Sequence, residues 1–320
     1  MPTTAPSLSI VIPCHNEENV IESTCERLIQ LIEQWPSQII SNFELVLVNN
    51  GSTDQTLEVM LLLQKTYKNI KIVDLVKNYG YQGSITAGLH HAKNEMIVTI
   101  DADLQDDPIK IIDMVQKYKE GYGLVIGIRS NRNTDSFLKK NTAQIYYKLL
   151  EKLGVHSVYN HGEFRLMSRR LVNDFKNLKE RNRYIRSLIF ELESKYACVF
   201  YERSERQTGV TKFKLTHLIG LSLDGITSFS IVPIRFVTFL GISMMGLAIT
   251  GIGIVLYIKY IALVNVPGWA SLVTLFFLFG GIQCFSIGII GEYIAKIYIE
   301  VKARPVFSVR RLYSTEKDEE

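Results

Sequence analysis

The sequence predicts an α/β protein: an open, mostly parallel sheet with helices on both faces, followed by an interfacial helix and a two-helix transmembrane hairpin. Three observations carry this. Short apolar runs alternate with amphipathic segments up to residue 128, the rhythm of parallel crossovers. Those runs are continuously apolar rather than alternating, as strands buried on both faces are. Farther along, residues 236–258 and 267–291 contain no charged side chain. As helices, each stretch is long enough to cross ~30 Å of hydrocarbon at ~1.5 Å per residue.

The elements follow in order. The first strand is expected at 8–12, and the N-terminus that carries it has no basic n-region and an apolar stretch of only about six residues, so it reads as a strand and not as a secretory signal. Further strands are expected at 43–48, 70–75, 96–100 and 124–128, rich in Val, Ile and Leu. Between them, 18–33, 53–68, 81–93 and 108–120 show the spacing of amphipathic helices. From 215 to 229, apolar positions mix with Ser222, Asp224, Thr227 and Ser228, too polar to span but suited to lying in an interface. The two uncharged stretches come next. Arg235 precedes the first, Lys296, Lys302, Arg304, Arg310 and Arg311 follow the second, and only Lys259 lies between. The positive-inside bias places both ends in the cytoplasm.

Composition narrows the classes. Of 320 residues, 47% are hydrophobic and 21% charged, which excludes a disordered or fibrous chain. A net charge of +4 without a clustered basic face argues against nucleic acid. Cys14, Cys25, Cys198 and Cys284 have no CxxC spacing, so neither a disulfide framework nor a zinc site is indicated.

In open α/β sheets ligands bind at the carboxyl ends of the strands, and the polar clusters fall there. Pro13-Cys14-His15-Asn16-Glu17-Glu18 follows the first strand, Asn49-Asn50-Gly51-Ser52-Thr53-Asp54 the second, Lys77-Asn78-Tyr79-Gly80 the third and Asp101-Ala102-Asp103-Leu104-Gln105 the fourth. Asp101 and Asp103 would repel each other unless a cation lay between them, and their oxygens suit Mg²⁺ or Mn²⁺, which would hold the phosphates of a nucleotide. Gln105 could add a neutral oxygen. A solvated acidic turn carries the same D-x-D pattern; its place at a strand end favours the metal. No GxxxxGK[ST], GxGxxG or G-x-S-x-G is present at these turns, which disfavours a P-loop NTPase, a dinucleotide-binding dehydrogenase and a hydrolase elbow.

Residues 7–18, 48–54 and 101–105 resemble a family 2 glycosyltransferase of GT-A fold. The segments 161–170 (HGEFRLMSRR), 225–230 (GITSFS), 280–283 (GGIQ) and 291–294 (GEYI) look like the polyprenyl-phosphate glycosyltransferases, a group that includes dolichol-phosphate mannose synthases, and most of all its bactoprenol glucosyltransferases. The resemblance implies a nucleoside pocket lined by Pro13, His15, Glu17, Val48 and Asn50, with Asp54 a further acidic position. It implies metal and diphosphate positions at Asp101, Asp103 and Gln105. Arg129 would lie near the transferred sugar or acceptor, and Glu163 near the sugar and the attacking group. Arg203, Arg206, Gly209 and Lys212 follow the R-x-x-R-x-x-G-x-[ST]-K pattern, with Thr211 in place of the usual Ser, and would meet the acceptor phosphate; a patch for anionic headgroups is the alternative. Asn50 stands where an aspartate is common, and Glu163 where Asp is common. The catalytic set is thus expected to be Asp103, Glu163 and Arg129.

The expected organisation is a cytosolic GT-A catalytic domain over 1–211, a juxtamembrane amphipathic segment over 212–233, two transmembrane helices within 234–296 (about 236–258 and 268–292) and a cytosolic charged tail over 297–320. The implied activity is metal-dependent transfer of one sugar, glucose from UDP-glucose before other donors, to undecaprenyl or another polyprenyl phosphate with inversion. UDP-GlcNAc, UDP-galactose and GDP-mannose remain alternative donors, and a non-catalytic membrane subunit an alternative class. Expected partners are the nucleotide sugar, the prenyl phosphate, the plasma membrane and further copies of the chain. Because a phosphomonoester has a second pKa near ~6, the acceptor is largely dianionic at neutral pH, so a dedicated base is optional and Glu163 could orient groups instead.

Overall fold

A computed structural model describes residues 5–103, 105–130, 158, 161–181, 183–202, 232–260 and 268–314. Two compact units result: one contains the sheet and takes in the chain again from Arg304 onward, the other contains the two apolar helices.

The sheet unit is an eight-stranded sheet of order β7-β5-β6-β4-β1-β2-β3-β8. The five strands expected from the sequence are β1 (Leu8–Cys14), β2 (Phe43–Asn49), β3 (Ile70–Leu75), β4 (Met96–Thr99) and β5 (Leu124–Arg129). β1 pairs in parallel with β2 and β4, and β2 with β3. Three more strands complete the sheet. β6 (His161–Ser168) runs antiparallel between β4 and β5, β7 (Tyr196–Tyr201) lies parallel to β5, and β8 (Val309–Tyr313) closes the other edge antiparallel to β3. The mostly parallel sheet is as expected, with two antiparallel strands added.

Helices cover both faces because the strands present apolar residues on each. α1 (Ile21–Glu33) buries Ile21, Cys25, Leu28 and Ile32, one stripe at i, i+4, i+7 and i+11. That stripe joins a core with Leu8, Ile10, Ile12, Leu45 and Leu47, with Met60 of α2 (Thr56–Thr66) and with Ile111, Met114 and Val115 of α4 (Ile111–Lys119). The intervening strand residues point the other way. There Val11 and Val48 meet Gly88 of α3 (Gly80–His91). Two further helices, α5 (Arg169–Asn177) and α6 (Ile185–Leu192), follow β6.

Residues 297–320, expected as a charged tail, contribute β8 to the sheet. The segment VRRLY reads as a tail because Arg310 and Arg311 interrupt its apolar residues, a pattern that an edge strand tolerates. In the second unit, α7 (Val232–Tyr260) and α8 (Trp269–Lys302) touch each other and enclose the expected apolar stretches. Both are long and apolar enough to cross a membrane by length and composition, over Val232–Gly251 and Leu278–Lys302. Phe239, Leu272 and Phe276 are among the apolar side chains they leave exposed. The segment 203–231, with the expected interfacial helix, lies outside the described residues.

Candidate nucleotide and metal site

At the carboxyl ends of β1, β2 and β3, three loops lock together. Asn16 adopts a left-handed backbone (φ 57°), which Asn tolerates better than most residues. Its side-chain oxygen accepts from Thr53 N at 2.8 Å, and its N–H donates to Ser52 Oγ at 3.1 Å. Glu17 N donates to Thr56 Oγ1 at 2.8 Å, and Glu18 Oε2 accepts from Gln55 N at 2.8 Å. Asp54 joins the same seam, accepting from Thr56 Oγ1 at 2.5 Å and from Glu18 N at 3.4 Å. Although burial pushes the Asp54 carboxyl up, these hydrogen bonds bring it below its ordinary value.

The third loop closes on the second through Asn50. Its Nδ2 donates to Asn78 Oδ1 at 3.2 Å and to Gly80 O at 3.1 Å, while its Oδ1 accepts from Tyr79 N at 2.9 Å. Gly51 makes this approach sterically feasible: its φ is +61°, and a Cβ there would come within 2.5 Å of Asn78 N. His15 bridges the same loops, with Nδ1 at 3.1 Å from Asn50 O and Nε2 at 3.1 Å from Asn78 Nδ2.

Past β4 the charges are acidic. Asp101 accepts from the Tyr81 hydroxyl at 2.6 Å. Burial pushes its carboxyl up to about 6; the Tyr81 hydrogen bond opposes that shift, and the charges of Asp106, Asp103 and Glu163 add to it. Asp103 Oδ1 accepts from Gln105 N at 3.2 Å. Asp106, buried, accepts from the Tyr201 hydroxyl at 2.7 Å and from Arg129 Nη2 at 3.2 Å, while its second oxygen has no hydrogen-bond partner. Among the described residues no three acidic, histidine or cysteine side chains are gathered around one metal position. Asp101 and Asp103 nonetheless fit a hard divalent cation: they are two carboxylates one residue apart at a strand end, and the charges of Asp103, Asp106 and Glu163 all disfavour the ionised form of Asp101, which such an ion would relieve.

β6 carries Glu163 into this region. Thr99 at the end of β4 donates to Glu163 O at 2.5 Å, fixing the two strands together. Arg129, at the end of β5, lies over Gly162, where a Cβ would stand 3.0 Å from Arg129 Nη2. The Glu163 carboxylate pairs with Arg165, which is 1% exposed, and with Arg186 Nε at 2.6 Å. Burial alone would raise its pKa, but the two guanidinium groups hold it down at about 2. It is therefore an ionised, doubly clamped carboxylate.

Among the expected site residues, His15 and Asn50 are brought together directly, as are Glu17 and Asp54 through Thr56. Val48 is fully buried against α3, so only its backbone faces the loops. The Asn50 amide is engaged with the third loop on both its oxygen and its nitrogen, which makes it a brace. Pro13 is half-buried in β1. Arg203, Arg206 and Lys212 lie outside the described residues. Sequence reasoning passed over Tyr81, Asp106, Arg165, Arg186 and Tyr201. Asp106 extends the acidic run by one residue, and Arg165 sits two residues beyond Glu163 on the same strand face; both were legible signals.

Residues 9–175 match the family model described as Glycosyl transferase family 2. An uncharacterized glycosyltransferase of Bacillus subtilis, YkcC, is 40% identical over 96% of this chain and 94% of its own length. The SfII prophage-derived bactoprenol glucosyl transferase of Shigella flexneri is 35% identical over 95% of this chain and 97% of its own. Among solved structures, glucosyl-3-phosphoglycerate synthase of Mycobacterium tuberculosis aligns with a TM-score of 0.49 and 19% identity over 70% of this chain and 79% of that one.

Proposed function

The chain belongs to glycosyl transferase family 2 and is a transferase, and from that premise we propose that it moves one sugar from a nucleotide donor to a polyprenyl phosphate. Glucose from UDP-glucose is the donor group the reading favours, and undecaprenyl phosphate the acceptor. The observation that carries this is the 35% identity to a bactoprenol glucosyl transferase over 95% of the chain, a span that takes in the strand-end clusters and both apolar helices.

The His15–Asn50–Asn78 corner would take the nucleoside, with Pro13, Glu17 and Asp54 shaping its rim. Asp101 and Asp103, with Gln105, would hold Mg²⁺ or Mn²⁺ against the donor diphosphate. When bound, the cation would neutralise the charge that develops on the leaving nucleoside diphosphate. In a single displacement the acceptor phosphate oxygen bonds to C1 of the sugar as the C1–O bond to the diphosphate breaks, which inverts that carbon. The dianionic acceptor needs placement more than deprotonation. A carboxylate held at about 2 is a feeble proton acceptor at neutral pH. Glu163 then serves by fixing Arg186, with the buried Arg165 completing the clamp. Arg129, steadied by Asp106 and Tyr201, would meet the sugar or the acceptor phosphate, and Arg203, Arg206 and Lys212 would bind that phosphate.

The two apolar helices would cross the membrane, with the sheet unit and both chain ends on the cytoplasmic side, and would leave the prenyl chain in lipid. Substituting Asp103→Ala tests the reading. The expected outcome is loss of metal-dependent transfer from UDP-glucose to undecaprenyl phosphate in a protein that still inserts and melts as the wild type does. Undiminished transfer would refute the site.

A further inference from the structure

We propose that Arg310, in the strand that follows the two apolar helices, is a positioning residue for donor binding. The inference rests on the nucleotide reading of the His15–Asn50 corner and extends it to a part of the chain remote in sequence.

Two separate connections lead from Arg310 to that corner. Its Nη2 donates to Val76 O at 2.8 Å, and Val76 N donates back to Ser308 O at 3.0 Å. Val76 opens the loop that supplies Asn78, Tyr79 and Gly80 to Asn50, and Asn78 to His15. The second connection runs through Asp74. Arg310 Nη1 stands 3.6 Å from Asp74 Oδ2, and Asp74 Oδ1 accepts from Asn49 Nδ2 at 2.7 Å. Asn49 Oδ1 in turn accepts from Ser52 N at 3.2 Å, which shapes the turn that Asn16 grips. Asp74 is 1% exposed, so its oxygens find their partners within the protein, while Arg310 remains largely solvated. One guanidinium thus steadies both the second and the third loop.

The flanking residues add to the brace. Val306 O lies 3.3 Å from where a Cβ on Gly83 would be, and the Phe307 ring meets His90 edge-on at 5.3 Å between centroids. The segment 306–308 therefore runs along α3, the helix that the third loop enters. An arginine suits the double task because its planar fork can donate to a carbonyl and a carboxylate at once, whereas lysine offers a point charge.

The test uses the full chain in detergent, with UDP and Mn²⁺ as the binding probe and initial rates from UDP-glucose and undecaprenyl phosphate. Arg310→Ala is expected to weaken UDP binding and raise the donor KM about tenfold, with the acceptor KM unchanged and kcat within about twofold. Arg310→Lys is expected to recover part of the loss, and it serves as the variant of record should Arg310→Ala not fold. His15→Ala is the control for the underlying reading. If His15→Ala loses UDP and Arg310→Ala does not, the positioning role is overturned and the pocket stands. If neither variant changes UDP binding, both are overturned. An equal loss of donor and acceptor affinity with a lowered melting temperature would reduce Arg310 to a purely structural part and would also overturn the proposal.

Discussion

Replacing Glu163 by Gln separates a clamped carboxylate from a proton acceptor. With a pKa of about 2 in the fold against an ordinary 4.5, the ionised form is favoured by roughly 2.5 pH units, or about 3 kcal/mol at ~1.36 kcal/mol per unit. Because the folded value lies below the unfolded one, this stabilisation is fully present above pH ~4.5 and disappears as pH falls through about 2. Removing the charge also strands Arg165, which is 1% exposed, and breaking a buried pair from one side costs about 3–5 kcal/mol. The two figures describe the same interaction and agree in scale. At roughly 2–4 °C per kcal/mol for a domain of this size, Glu163→Gln should melt about 6–12 °C lower in differential scanning fluorimetry at pH 7.5. Rates measured from pH 5 to 8 at a temperature where the variant is folded should keep the acid limb near pH ~6 that the second ionisation of the acceptor phosphate imposes. An unchanged melting temperature would refute the clamp. Disappearance of the acid limb in the variant would make Glu163 a base that titrates in the working range, and the argument would fail there too.

Two more outcomes follow, one from the fold and one from the proposed acceptor site. Deleting the chain from Arg304 onward removes β8 and bares the β3 edge; the shortened protein should melt about 5 °C or more lower and self-associate in size-exclusion chromatography, and wild-type behaviour would show that the edge needs no cover. On the proposed acceptor role of Arg203, Arg203→Ala would forfeit one charge-assisted contact of about 1.5–3 kcal/mol and should raise the KM for undecaprenyl phosphate at least about tenfold while leaving UDP affinity intact, as read by initial rates and calorimetry.

Five of the eight strands were legible in the sequence, and less of the site's wiring. β1 to β5 were legible because each is a continuous apolar run, and α1 because its stripe repeats at helical spacing. β6 was not read as a strand, since HGEFRLMS places Glu163 and Arg165 among apolar residues, and their burial is compensated by their mutual pairing and by Arg186. β8 hid behind two arginines in the same way. The strand-end rule led directly to His15, Asn50, Asp101 and Asp103. It could not distinguish groups left to meet a ligand from groups engaged by neighbouring loops, because Asn50 and Asp54 find their partners in other turns, 28 and 36 residues away for Asn78 and Glu18. Tyr81 and Tyr201 escaped notice because a hydroxyl aimed at a carboxylate leaves no trace in spacing.

The sheet is interrupted in the sequence by the two long apolar helices, with one edge strand encoded beyond them. During synthesis the ribosome must deliver α7 and α8 before β8 exists, so β3 waits with an open hydrogen-bonding edge until the chain beyond those helices has emerged. Completion of the sheet is thereby timed to follow synthesis of the apolar helices, and chains that stall before that point keep an adhesive edge that chaperones and proteases can read.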